Sequence, residues 1–244
     1  MVTFFEKEEK LYKEWYNSYS PKEQKLFCMD GLLSSRNENP DIEADKWEKA
    51  ERKILFLMKD TNGNPDDDIR CWPLGHETYS NGFPKPLHRF YVVLLKWLWA
   101  LNEVSSDNLP SFNKTKEEYI ELTYKYPMAQ VNVKKLSGCA QVSGDVLEYF
   151  FERDYKYIRE QIRCILSPNI IVCGGGSGLL CHKVIHRLYK DYSFTKVNDW
   201  CYYCSDYNLL VIDSYHPSAR VSDGVKFDKM IAAVQEFYKL KQLK

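Results

Sequence analysis

Apolar and polar positions change rhythm along the chain. Residues 4–19 place Phe5, Leu11, Tyr12, Trp15, Tyr16 and Tyr19 close to helical spacing, which predicts an amphipathic helix. Ser20-Pro21 then opens a second helix, because proline suits a first helical turn. Gly31 and the polar stretch Ser34 to Pro40 end this region. Residues 1–50 therefore read as a helical extension packed on the main domain, not as an independent unit. Four short apolar runs follow: Ile54 to Met58, Met128 to Val133, Asn169 to Cys173 and Leu209 to Asp213. Three are nearly continuous in apolar residues, as strands buried on both faces should be, and the second is more mixed. Helical patterns over 87–102, 145–166 and 178–190 separate them. A last helix over about 224–241 carries Val225, Ile231, Val234, Phe237 and Tyr238. Strands alternating with helices predict an α/β fold with a parallel sheet and right-handed crossovers. Trp200 to Cys204, ahead of the turn at Ser205 to Asn208, adds an antiparallel edge strand through a hairpin.

Composition narrows the class. With 244 residues, 44% of them apolar, the chain has enough material for one large domain. The 34 basic and 34 acidic residues cancel, which excludes a disordered polyelectrolyte and removes the overall basic surplus usual in nucleic-acid binders. The start, MVTFFEKEEK, is charged almost at once and reads as no signal peptide. The most apolar run, Phe90 to Leu101, is too short to span a bilayer, and Lys96 interrupts it. The eight scattered cysteines are expected as free thiols. These features predict a cytoplasmic chain with no membrane contact, acting as a monomer.

In open α/β sheets, ligands bind beyond the carboxyl ends of the strands, so the residues after each run are the candidates. After the first run comes Lys59-Asp60-Thr61-Asn62-Gly63-Asn64-Pro65. A long connection rich in Gly, Asn, Asp and Pro then runs to about Pro86, with Arg70, Trp72, His76 and Phe83 in it. A loop of that length in a compact domain points to function. In the second run, Asn132 offers donors and an acceptor, although a strand-end Asn is more often a turn residue. After the third, Gly174-Gly175-Gly176-Ser177-Gly178 fails the dinucleotide spacing and lacks a phosphate-binding lysine, so close strand-to-helix packing is the favoured reading. After the fourth comes Ser214-Tyr215-His216-Pro217-Ser218-Ala219-Arg220. There a neutral imidazole could donate a hydrogen bond to charge developing on a leaving group.

Taken in order, these segments resemble the uracil-DNA glycosylase superfamily. Its members carry a strand ending in a motif such as GQDPY or GEAPG, and the matching stretch is MKDTN at 58–62. They carry an Asn at the end of an apolar strand, matched by Asn132 in AQVNVKK, and a final strand running into HPS, matched by DSYHPSAR at 213–220. The likeness spans residues 53–240 in layout. Met58 stands where those motifs have Gly, and Thr61 where the first has Pro. The resemblance implies a three-layer α/β/α sandwich around a central four-stranded, mainly parallel sheet, with the N-terminal helices packed on one domain spanning 1–244. It also implies a protein that flips a damaged base out of DNA and hydrolyses its N-glycosidic bond. Asp60 would orient or activate the water, Asn132 would read the uracil edge, and His216 would stabilise the departing base. Phe83 or Trp72 would stack on the base, with Asn62 and Ser218 also on the substrate side. Arg220 and Ser177 would face DNA. Two other classes stay open: a non-catalytic nucleic-acid or nucleotide-binding domain of the same fold, and an enzyme acting on a phosphorylated small molecule through the 174–178 turn.

Some members of that superfamily hold an iron–sulfur cluster through four cysteines. Cys28, Cys71, Cys139 and Cys164 do not reproduce a CxxC opening, so no cluster and no cofactor are expected. In Cys201-Tyr202-Tyr203-Cys204, an extended backbone would turn the two thiols to opposite faces. His182 and His186 have helical i,i+4 spacing, but no third ligand is evident in the sequence and no metal is expected.

Overall fold

The computed structural model describes residues 3–33, 41–61, 68–71, 89–112, 125–138, 142–175 and 178–242. Its centre is a seven-stranded sheet in the order β1-β3-β2-β4-β7-β6-β5. The strands are β1 (Gly31–Leu32), β2 (Ile54–Asp60), β3 (Ala129–Lys134), β4 (Ile170–Gly174), β5 (Thr195–Lys196), β6 (Cys201–Cys204) and β7 (Leu209–Ser214). The four apolar runs are β2, β3, β4 and β7, and they pair in parallel as the sheet's middle. The sheet as a whole is mixed and larger than four strands. Antiparallel β1 borders β3, and the antiparallel pair β6 and β5 continues beyond β7. β1 and β5 have two residues each, too few to leave a periodic signal. So the N-terminal region contributes an edge strand as well as helices, and the strand read at Trp200 to Cys204 is not the edge, because β5 lies outside it.

Each central strand divides its side chains between two cores. Leu55 and Leu57 of β2, with Val131 and Val133 of β3, face α1 (Phe4–Asn17), α3 (Asp41–Lys49), α5 (Gly144–Arg159) and α6 (the wide turns Leu179–Ile185 plus His186–Leu188). Ile54, Phe56 and Met58 face α4 (Arg89–Glu103) and α7 (Asp223–Gln242). Helices thus cover both faces, which is why β2, β4 and β7 read as continuous apolar runs. β3 looked mixed because Gln130, Asn132 and Lys134 alternate with its apolar residues and are buried all the same. Cys201 and Cys204 fall in opposite cores, as an extended backbone requires.

Helix starts follow local chemistry. Thr3 and Glu6 form a capping box on α1, and Ser20 with Glu23 forms another on the short α2 (Pro21–Gln24), with Pro21 in its first turn. The apolar run at Phe90 to Leu101 is α4, with eight buried residues. Among the described residues, no helix is long and apolar enough to cross a membrane. At its carboxyl end, α5 widens into π-type turns over Glu160–Leu166, closed by Ser167 in the left-handed conformation.

A buried polar network ties the N-terminal helices to β3. Lys135 Nζ donates to Asp30 Oδ1 (2.5 Å) and to Gln161 Oε1 (3.1 Å), with both ions buried. Asp30 Oδ2 accepts from the Asn132 backbone N–H (2.8 Å) and from Asn132 Nδ2 (3.2 Å). Burial holds the Lys135 ammonium below its usual pKa, and Asp30 pulls it back up. Removing either ion of such a pair costs about 3–5 kcal/mol, because the other is left buried and uncompensated.

Candidate active site

The strand order brings the candidate residues to one end of the sheet. Asp60 ends β2 and pairs in register with Lys134, and Asn132 pairs with Met58. Gly174 ends β4, and Ser214 ends β7, after which the loop Tyr215 to Ser222 leads to α7. Because β4 lies between β2 and β7, the strands bearing Asp60 and His216 are two spacings apart, ~10 Å, with only glycine at the end of the strand between them.

Asp60 is half-buried. Its Oδ2 has no hydrogen-bond partner among the described residues, and Lys134 Nζ stands 3.8 Å away. Burial raises the carboxyl pKa, and the Lys134 and Lys59 charges oppose that rise. A carboxylate whose pKa is raised is a better proton acceptor than an exposed one.

His216 takes its orientation from its own loop. Its Nδ1 accepts the Ser218 backbone N–H (3.1 Å), so the neutral ring carries its proton on Nε2. The ring packs against Phe90, with centroids 5.8 Å apart. Burial lowers its pKa, and the Lys59 and Lys226 charges lower it further. The arrangement is a neutral donor with one fixed tautomer.

Lys226 was not visible as a site residue. It sits in the first turns of α7, fully buried, and its Nζ donates to the Pro217 carbonyl (2.5 Å) and the Ala219 carbonyl (3.4 Å) while pairing with Asp223 (2.8 Å). One helix lysine therefore holds two carbonyls of the His216 loop. Asp223 also accepts two hydrogen bonds from Arg89 of α4 (3.1 and 3.0 Å). The available signal was the stripe Lys226, Phe227, Met230, Ile231 and Val234, in which a lysine shares the apolar face, whereas Val225 is exposed.

The remaining candidates divide. Asn132 is buried, with Nδ2 held by Asp30 and Oδ1 without a partner among the described residues. Ser218 and Arg220 are exposed on the loop. Asn62, Trp72, Phe83 and Ser177 lie outside the described residues. Gly174 and Gly175 are packing glycines. A Cβ on Gly174 would lie 2.5 Å from Met58 Sδ and 3.4 Å from Pro217 Cδ, and one on Gly175 would lie 2.9 Å from Leu180 Cδ1. Met58, which stands where the resembled motifs have glycine, thus takes the room that Gly174 leaves. Lys59 Cε comes within 3.3 Å of the same Gly175 position. A separate groove of about 450 Å³, lined in part by Asp45, Arg52, Asn102 and Tyr126, opens near the amino ends of β2 and β3 and contains none of these residues.

For a metal, the described residues offer one grouping: Cys181, His182 and His186 of α6, whose ligand atoms lie within 4.8 Å of one another. Sequence spacing showed the two histidines and missed the cysteine. The seven cysteines among the described residues are free thiols. Compared with models of known protein families and with curated proteins, the chain matches none.

Proposed function

We propose that this chain is a divergent uracil-DNA glycosylase-like hydrolase that cleaves the N-glycosidic bond of a flipped uracil or another damaged base in DNA. The observation that carries this reading is the pairing of Asp60 and His216 across a strand that ends in glycine. One group accepts protons and the other donates a hydrogen bond, and both stand beyond the carboxyl ends of strands that flank β4. In the proposed reaction the C1′–N bond breaks and the electron pair leaves with the base. His216 Nε2–H donates to the anionic base, and a neutral imidazole does so without becoming a stronger acid than the reaction needs. Water adds to C1′, and its proton passes to Asp60. Asn132 supports the reading through its partnerless Oδ1, an acceptor for an imide N–H. The exposed Ser218 and Arg220 flank the loop, where backbone phosphates would pass.

A second reading is favoured by a specific observation. Met58 and Lys59 crowd Gly174 and Gly175, which suits a nucleic-acid or nucleotide-binding domain of the same fold with no turnover. Release of free uracil from single- and double-stranded uracil-containing DNA separates the two. The hydrolase reading expects release by the native chain, and a loss of roughly 10²–10⁴-fold in Asp60→Asn, the range for a positioned general base. DNA binding without release on either substrate would establish the binding domain instead.

A further inference from the structure

We propose that Cys181, His182 and His186 of α6, with Asp213 of β7 at the fourth position, form a zinc(II) site on the sheet face opposite α4 and α7. The site depends on how α6 is wound. In an α-helix, at roughly 100° per residue, positions five apart stand about 140° apart around the axis. Cys181 and His186 would then point to different faces. Here the His186 N–H donates to the Cys181 carbonyl, an i→i+5 bond, and the wide turn swings the two side chains toward one line. His182, one turn before His186, joins them, and the three ligand atoms lie within 4.8 Å of one another.

Two orphaned atoms point to a missing ligand, one within the three-residue group and one on Asp213 beside it. His186 Nε2 is buried and has no hydrogen-bond partner among the described residues, and neither has Asp213 Oδ1. Asp213 and His182 crowd the same glycine. A Cβ on Gly178 would lie 3.1 Å from His182 Nε2 and 3.7 Å from Asp213 Oδ2. Gly178 has φ +70°, a left-handed turn that starts the wide helix, and its backbone bonds the Asp213 carboxylate. The His186 ring is fixed from outside, stacked on Phe194 at 4.9 Å and edge-on to Tyr202 at 6.0 Å. A thiolate, two imidazoles and a carboxylate make up the nitrogen, sulfur and oxygen set that tetrahedral zinc takes. Cys181 is buried and His182 exposed, so the ion would enter from the His182 side. Binding releases the Cys181 thiol proton to solvent.

The test uses the full chain after chelator treatment, titrated with Zn²⁺ against a chromophoric competitor and separately with Co²⁺. One equivalent should bind, with a thiolate-to-cobalt charge-transfer band and the intense visible bands of a tetrahedral ion. Cys181→Ser should remove the charge-transfer band. His182→Ala and His186→Ala should each weaken Zn²⁺ binding by roughly 100-fold or more. His182 is exposed, so its variant keeps the fold, which circular dichroism checks. Absence of binding in the native chain, or binding unchanged in a folded His182→Ala, overturns the site.

Discussion

At the scale of single residues, the site is set by lysines that contact the backbone or a carboxylate. Lys226 fixes the His216 loop through two carbonyls and lowers the imidazole pKa by its charge. Lys134 stands beside Asp60 and opposes the effect of burial there. In Lys226→Met the positive charge is gone, so the His216 pKa should rise, read from a ring-proton titration by NMR. A pKa unchanged in the folded variant would show that burial and Lys59 set it without Lys226. Asp60, Asn132 and His216 were legible in the sequence because each follows or sits within its own apolar run. Asp30, Lys135 and Lys226 were not. Asp30 and Lys135 are 105 positions apart, and no local pattern announces that a charged residue is buried against a distant partner.

Among the elements, the parallel strands were readable and their antiparallel neighbours only in part. β2, β4 and β7 are apolar because both faces are covered, whereas β1 and β5 exist only as two-residue pairings to longer strands. The wide turns in α6 were also hidden. An apolar stripe signals a helix, but nothing in it tells 3.6 residues per turn from the wider form that gathers Cys181 with His186. The close packing of β2 on β4 makes its own prediction. Gly174→Ala forces a Cβ against the buried Met58 thioether and should destabilise the fold by about 1–3 kcal/mol, as overpacking does. Combined with Met58→Ala, most of that cost should vanish. Chemical denaturation of the double-mutant cycle measures it, and strictly additive effects would mean that the two residues do not share one space.

For the whole molecule, the N-terminal helices and the sheet are joined by buried charge. Glu8 of α1 is fully buried beside Arg70, at 3.4 Å, and burial pushes its carboxyl pKa up to about 8 while Arg70 pulls the other way. A carboxyl raised in the fold adds stability that is complete below the unfolded value of 4.5 and is lost as pH climbs toward about 8. Stability should therefore fall across that window, and Glu8→Gln should flatten the fall by up to about 1.4 kcal/mol per pH unit. An identical pH slope in the variant would assign the decline to other groups. The overall charge balance is neutral, yet Lys59 and Lys226 both act on His216, and Lys59 and Lys134 both act on Asp60. Composition could not reveal that grouping, because it sums over all faces. In the proposed reaction, His216 donates to the departing base. Single-turnover excision of uracil by the native chain and by His216→Ala, beside DNA affinity from gel shifts, measures that role. The rate should fall by about 10²–10³-fold, as for loss of one donor to developing charge, with affinity nearly unchanged. A rate unaffected by the change, or a loss of affinity that accounts for all of it, would contradict that role.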